Sequence, residues 1–464
     1  MADKKPSPSP DLFSFFGSIP LEFWILLISS IPVYFLWQYN TKLLILMVIA
    51  FVVTRIAWRL WLHYVQQDFI SGIDYVVMEI VPPRDVLRNP KAMEIFFTNA
   101  LYHWSNKGGI EQYWQGAIWF WHSLEIVSID GQVHFYIRTP TRMQELVETQ
   151  MYAQYPQAQV KVVEDYTLAV DEISEKGEWN LWGCDWKLTK PDAYPIKTYV
   201  DYGLDKDPKE EYKIDPIAPV IELFGSIKKG EQMWVQFVLR PSKKEYHTKG
   251  TWFDTHDWVK ESENELDLLS EPYTKKEQLG DGSVLKSGRT PDFLKDKIDG
   301  ITKKRTKIGF DVGIRTCYVA KKEAWSMNSR RNIRLIFRQY ENPSLNGFSR
   351  TNATQADSLS GGGFIGSFAL LPNKTVTRLA DRMLNDYRNR SFFNGALRED
   401  LFSEPNLFWP ISPFFFPAYF EHPVFVLNVE EIATLWHFPG QTLKVPTLER
   451  IESKEAAPPT NLPT

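Results

Sequence analysis

Leu124-Glu125-Ile126-Val127-Ser128-Ile129-Asp130-Gly131-Gln132-Val133-His134-Phe135-Tyr136-Ile137-Arg138 is the stretch that decides the fold. Two β-rich runs flank Asp-Gly, a pair favoured in two-residue hairpin turns because both turn positions need a positive φ. The return run alternates Val133, Phe135 and Ile137 against His134, Tyr136 and Arg138, the period of a strand with one buried face. Upstream, 75–80 is another β-rich run. Asn89 then caps a helix with Pro90 in its first turn. Met93, Phe96, Phe97, Ala100 and Leu101 give that helix one apolar face. Downstream, Pro140 and a capping box at Thr141 and Gln144 open a helix with Met143, Leu146, Val147 and Met151 on its apolar side. Val160, Val162 and Val163 close with a strand. The order β-α-β-β-α-β over residues 70–170 predicts a ferredoxin-like module.

A weaker copy of the same order spans 190–355. Residues 196–200 read as its first strand, and Asp215-Pro216 starts a helix with Ile217, Val220, Ile221 and Phe224 on one face. Met233, Val235, Phe237 and Leu239 alternate in a strand expected to pair with 308–320. A helix over 324–340 and a last strand near 347–351 complete it. A polar insertion, 242–307, lacks a sustained apolar period and is expected to be a helical or mobile excursion. After Gly361-Gly362-Gly363 comes a C-terminal helical and aromatic region, 364–440, with a helix over 375–387, a Pro-punctuated loop over 407–417 and a short helix capped by Asn428. An extended linker tail, 441–464, follows.

Ahead of these modules, residues 20–64 are strongly apolar. The segment 20–37 holds no charge except Glu22 and, at ~1.5 Å per residue, covers ~27 Å as a helix. A second segment runs from about Leu43 to Trp61. Only 38–42 separates them, so a transmembrane helical hairpin is expected after a cytoplasmic tail, 1–19. Arg55 and Arg59 can reach the headgroups while Trp58 and Trp61 suit the membrane interface. Lys4 and Lys5 before the first span, with the two arginines closing the second, place both ends in the cytoplasm. The chain therefore reads as a multi-pass protein of the cytoplasmic membrane, with lipid as a partner and its soluble part in the cytoplasm. The fold class is α+β: a two-helix hairpin, tandem ferredoxin-like modules and a small C-terminal helical region.

Motifs for chemistry are sparse. Gly361–Ser367 lacks the Gly-Lys-Ser/Thr of a phosphate-binding loop, and Lys374 lies beyond Pro372, so a turn is the better reading. Asp254-Thr255-His256-Asp257 has metal-ligating residue types without paired histidines, and reads as a solvated loop. His103, His122 and His437 sit among aromatic or apolar neighbours and read as packed residues. Cys184 and Cys317 match no metal or redox spacing. No catalytic residue, cofactor or metal is expected, and the chain reads as a non-enzyme.

The most distinctive polar feature is the basic run Arg330, Arg331, Arg334 and Arg338, on a helix whose buried side is Ile333, Ile336, Phe337 and Tyr340. Such arginines suit DNA phosphates, anionic lipid or an acidic partner, or simply form a solvated face. The net charge of −4 gives a nucleic-acid partner no support.

Several stretches carry a resemblance: His134-Phe135-Tyr136-Ile137-Arg138 through Met151-Tyr152-Ala153-Gln154-Tyr155-Pro156, Asp215-Pro216-Ile217-Ala218-Pro219 and Gly230-Glu231-Gln232, then Gly309-Phe310-Asp311-Val312-Gly313-Ile314-Arg315 and Asn428-Val429-Glu430-Glu431-Ile432-Ala433-Thr434-Leu435-Trp436-His437-Phe438-Pro439-Gly440. In these the chain resembles the non-catalytic N-terminal region, a domain of unknown function, of bacterial type IV secretion or conjugation-like ATPases. In such proteins an ATPase domain with Walker motifs follows a Pro-rich linker; here the sequence stops at Pro458-Pro459-Thr460-Asn461-Leu462-Pro463. The resemblance implies a membrane-anchored scaffold or adaptor that recruits or orients a separately encoded P-loop ATPase, with homo-oligomerisation as a further expectation. The alternative is a membrane-tethered nucleic-acid-binding protein using 330–338.

Overall fold

The structure is a computed structural model and describes residues 41–83, 89–103, 107–206, 214–242, 246–247, 255–273, 275–278, 284–287, 291–354, 373–393 and 423–440. A 31-residue helix, α1 (Thr41–Ser71), leads into strand β1 (Tyr75–Val81). Helix α2 (Lys91–Phe96) continues as a π-turn over Phe97–Leu101, followed by the short helix α3 (Gly109–Tyr113). Then come β2 (His122–Ile129), β3 (Gln132–Pro140), α4 (Gln144–Gln154) and β4 (Gln159–Val163). The second half begins with β5 (Trp179–Leu188), α5 (Ala218–Gly225) and β6 (Glu231–Pro241). The insertion supplies β7 (Tyr246–His247), β8 (Thr255–His256), α6 (Trp258–Ser270), β9 (Lys275–Gln278), β10 (Val284–Ser287) and α7 (Asp292–Arg305). Last are β11 (Gly309–Lys321), α8 (Met327–Asn332), β12 (Phe348–Thr351), α9 (Asn373–Asn389), β13 (Phe425–Asn428) and α10 (Val429–Leu435).

Nine strands form one antiparallel sheet in the order β12-β5-β11-β6-β2-β3-β1-β4, with β13 pairing beside β5 on β11. Each half therefore lays its strands fourth-first-third-second. The two second strands, β2 and β6, join the halves from His122↔Leu239 to Ile129↔Gln232. The Asp130-Gly131 turn has φ of 54° and 87°, both in the left-handed region, as a tight hairpin needs. Asp130 also accepts the Gly230 N–H at 2.7 Å, tying this turn to the loop before β6.

Both faces of the sheet are covered, and a period of two sorts the residues between them. Leu124, Ile126, Phe135, Ile137, Val235, Phe237, Val312 and Ile314 face a layer of helices that contributes Met93, Phe96, Phe97, Val147, Met151, Ile221, Phe224 and Trp436. Val127, Tyr136, Leu181, Trp234, Cys317 and Val319 face α9, which contributes Leu379, Met383, Leu384 and Tyr387. α9 comes close because Gly183 leaves room for Met383; an added Cβ would lie 2.8 Å from its Cγ.

Several expectations are corrected. The first span, 20–37, lies outside the described residues, and the second segment extends well past Trp61, to Ser71. Residues 196–200 form no strand. Three of their N–H groups are taken by side chains instead: Ile196 donates to Glu431 (2.9 Å), Thr198 to Asp201 (2.8 Å) and Tyr199 to Thr434 (2.9 Å). The place of a first strand belongs to β5. The Thr141/Gln144 capping box is absent because Thr141–Met143 forms a 3-10 turn. Asn89 makes no side-chain cap; Pro90 occupies that position. The helix expected over 324–340 is α8 followed by 3-10 turns at Ile333–Leu335 and Arg338–Tyr340. The C-terminal region is not only helical, since β13 adds a strand to the sheet.

Lys304 of α7 is fully buried and clamps this last segment. Its ammonium lies 3.1 Å from Glu431 and donates to the Val426 carbonyl at 2.9 Å. Lys307 bridges Glu94 of α2 and Glu430 of α10 at 2.9 and 2.6 Å. Lys304→Met strands a buried carboxylate and is expected to cost ~3–5 kcal/mol in urea unfolding; Lys304→Met with Glu431→Leu should recover most of that loss.

Candidate functional site

Helix α1 changes character along its length. Leu43, Ile45, Leu46, Met47, Val48, Ile49, Phe51 and Val53 are exposed, and the helix is long and apolar enough to cross a membrane. From Trp58 onward it is docked on the sheet domain. The Trp61 indole donates to the Tyr113 carbonyl at 3.0 Å and meets the Trp114 ring edge-on at 5.6 Å. Trp58 lies 6.1 Å from Tyr113 and Phe69 6.2 Å from Phe120. Val65 is buried, and Phe69 and Ile70 pack with Trp121 and Val238. Gly116 permits this approach: its φ is +66°, and a Cβ there would run into the Val65 carbonyl. The structure thus places Trp58 and Trp61 at the junction. Arg55 and Arg59 lie on the same helix, with side chains outside the described set.

Beside the junction, Lys107 lies 5.7 Å over the Phe69 ring and 5.6 Å over Phe120, and the Arg142 guanidinium stacks on Phe120 at 3.7 Å. Burial, then the charge of Arg142, hold Lys107 below the usual lysine range.

The four arginines singled out in the sequence do not form one face. Arg330 is buried, its guanidinium 3.7 Å from the Met327 sulfur; Arg331 and Arg338 are exposed and Arg334 is half-buried. Ser326 caps α8 by accepting the Ser329 N–H. After Asn332 the chain tightens to three residues per turn, which rotates the later side chains away from a common α-helical stripe. Ile333, Ile336, Phe337 and Tyr340 are buried as expected.

Charges that the sequence reading missed lie inside the protein. Arg390 is fully buried at φ +49°, with Glu125 at 2.9 Å and Asp165 at 2.5 Å. Glu125 also accepts from Tyr166 (2.8 Å), Gln236 (3.1 Å) and Ser123 (2.6 Å). Arg315 donates to Asp185 at 2.8 Å, and Asn352 holds the other oxygen at 2.9 Å. His437, expected to be packed, is buried and presents its two ring nitrogens to the Ala433 carbonyl (2.8 Å) and to Asp215 (3.0 Å). For Glu125 and Arg315 the signal was a charged residue inside an apolar strand, Leu124-Glu125-Ile126 and Ile314-Arg315-Thr316, where a sheet covered on both faces demands a partner.

Of the other candidates, His122 is buried beside Thr139 (2.9 Å), and burial, with the charge of His103, pushes it down to about 3, so it is neutral near pH 7. His103, expected to be packed, is exposed. Burial holds the Cys317 thiol well above the usual range, and neither Cys317 nor Cys184 is in a disulfide. Asp257 caps α6 by accepting the Val259 N–H (3.0 Å). Asp254 and Gly361–Ser367 lie outside the described residues. Among the described residues no group of His, Cys, Asp and Glu is arranged to hold a metal.

A family model described as a domain of unknown function (DUF8128) matches residues 103–365. The chain belongs to this family. No curated protein and no solved structure matches it. The DUF8128 match runs from just ahead of α3 past β12, and so covers both central strands and the insertion. It omits β1, which lies between β3 and β4, and the β13–α10 segment clamped by Lys304.

Two outcomes follow for DUF8128 in this chain. A fragment limited to 103–365 leaves β3 and β4 without the strand between them, and is expected to aggregate or lack a cooperative melt, whereas 64–440 melts cooperatively by circular dichroism. Gly116→Ala should lower stability by more than ~1 kcal/mol, because it combines a left-handed backbone with a clash at α1; urea unfolding with α1 intact measures it.

Proposed function

We propose that this protein is a membrane-anchored, non-catalytic scaffold that recruits or orients a separately encoded P-loop ATPase of a type IV secretion or DNA-transfer-like machine. The observation that carries the reading is the two-part character of α1: an exposed apolar half and a docked half leave the sheet domain fixed at one end of a helix of bilayer-spanning length. In this reading 20–37 supplies the first span of a hairpin, lipid is a partner, and the soluble part faces the cytoplasm. The two halves of the sheet are tandem ferredoxin-like modules set back to back across β2 and β6, a reading supported by the fourth-first-third-second strand order of each. Anchoring raises the local concentration of a partner, so weak docking becomes effective.

The nucleic-acid reading keeps Arg331, Arg334 and Arg338, and burial of Arg330 weakens it. Affinity purification of the full chain from detergent, with mass spectrometry, separates the two. Recovery of a P-loop ATPase, lost on deleting 441–464 while the melt of the domain is unchanged, is the expected result. Recovery of nucleic acid without an ATPase, released by salt and by Arg331→Glu with Arg334→Glu, would favour the rival.

A further inference from the structure

Three side chains on or next to α3 are unusually open for their size. Ile110 is 70% exposed, Trp114 62% and Tyr113 42%. Large apolar residues scattered singly over a surface need no explanation. These three are neighbours in sequence, and they lie against the aromatic part of α1: Trp114 and the Tyr113 carbonyl touch Trp61, the Tyr113 ring approaches Trp58, and Trp61 lies 6.3 Å from Tyr64. Glu111, the acidic residue among them, is turned to the start of its own helix, where it accepts the Gly108 N–H at 2.9 Å.

Their height along α1 is informative. From Leu43 to Trp61 the helix rises ~27 Å at ~1.5 Å per residue, close to the ~30 Å of a bilayer's hydrocarbon core. The patch therefore sits at the level where α1 would leave the hydrocarbon. Tyr and Trp favour that layer because an apolar ring can enter the acyl boundary while its polar edge stays hydrated. Lys107 and Arg142, on the Phe120 ring that meets Phe69 of α1, add positive charge of the kind that suits lipid phosphates.

We propose that α3 is a second membrane foot: Ile110, Tyr113 and Trp114 insert into the headgroup–acyl boundary of the bilayer that α1 crosses. This rests on the membrane reading of α1. Two attached points, one spanning and one interfacial, fix the rotation of the sheet domain about the axis of α1, which α1 by itself leaves free.

The test uses the full chain reconstituted into phosphatidylcholine–phosphatidylglycerol vesicles. An environment-sensitive dye is placed on Ile110→Cys, Trp114→Cys or, as a control at the far end of the sheet, Met327→Cys. The native Cys184 and Cys317 are buried and do not compete for label. Lipid carrying a shallow nitroxide should quench positions 110 and 114 at least about twofold more than 327. Flotation of the protein with vesicles, with 110 and 114 unquenched by lipid and open to aqueous iodide, would overturn the foot and leave the anchor standing. Dyes at 110 and 114 shielded from both quenchers would show a protein cover and also overturn it. A protein that does not float would remove the anchor reading itself.

Discussion

The ladder between β2 and β6 is the constraint on which the rest of the protein depends. It turns two sets of strands into one sheet, and the helices on one side and α9 on the other leave its middle with no access to water. Each polar side chain on a central strand must then find a partner inside the protein, because an unpaired buried charge is far costlier than an exposed one. Glu125 and Gln236 face each other across the ladder, and Arg390 arrives from beyond α9 to neutralise the carboxylate. Arg315 and Asp185 repeat the solution on the neighbouring pair of strands. A helix end in a left-handed conformation costs an arginine roughly 1–2 kcal/mol, and this one is held there by four charge-assisted hydrogen bonds: two to Glu125 and two to Asp165.

Much of this was legible wherever one face of an element differed from the other. The Asp130-Gly131 turn and the faces of α2 and α5 follow from turn chemistry and helical period. β5 was not legible, because Trp179–Leu188 is buried on both sides and so shows no alternation. The stretch 196–200 has strand composition, yet two of its amides, those of Ile196 and Tyr199, are satisfied by α10, more than two hundred residues later. Local pattern carries no trace of such a partner. The basic run misled for a related reason: positions along a continuous α-helix were assumed, and a switch to 3-10 turns changes which side chains share a face.

The junction between α1 and the sheet domain differs from a linker. The backbone of Gly116 sits against that of Val65, and rings from α1, α3 and the irregular stretch 117–121 ahead of β2 interleave around it. Whatever direction α1 takes, the sheet takes with it. The long helix acts as a mount, and the orientation of the sheet relative to that mount is set by packing.

The placement of β13 and α10 has a consequence for the order of biosynthesis. Glu94, Lys304 and Lys307 are translated long before Glu430 and Glu431, with which they are paired in the finished protein. At ~5–20 residues per second, the interval between residue 165 and residue 440 is roughly 15–55 s. During that time the first half of the sheet has already left the ribosome, and β11 and Lys304, once made, still lack β13 and Glu431. The nascent chain is thus held in an unfinished state until β13 and α10 emerge, a window in which a chaperone can act on it.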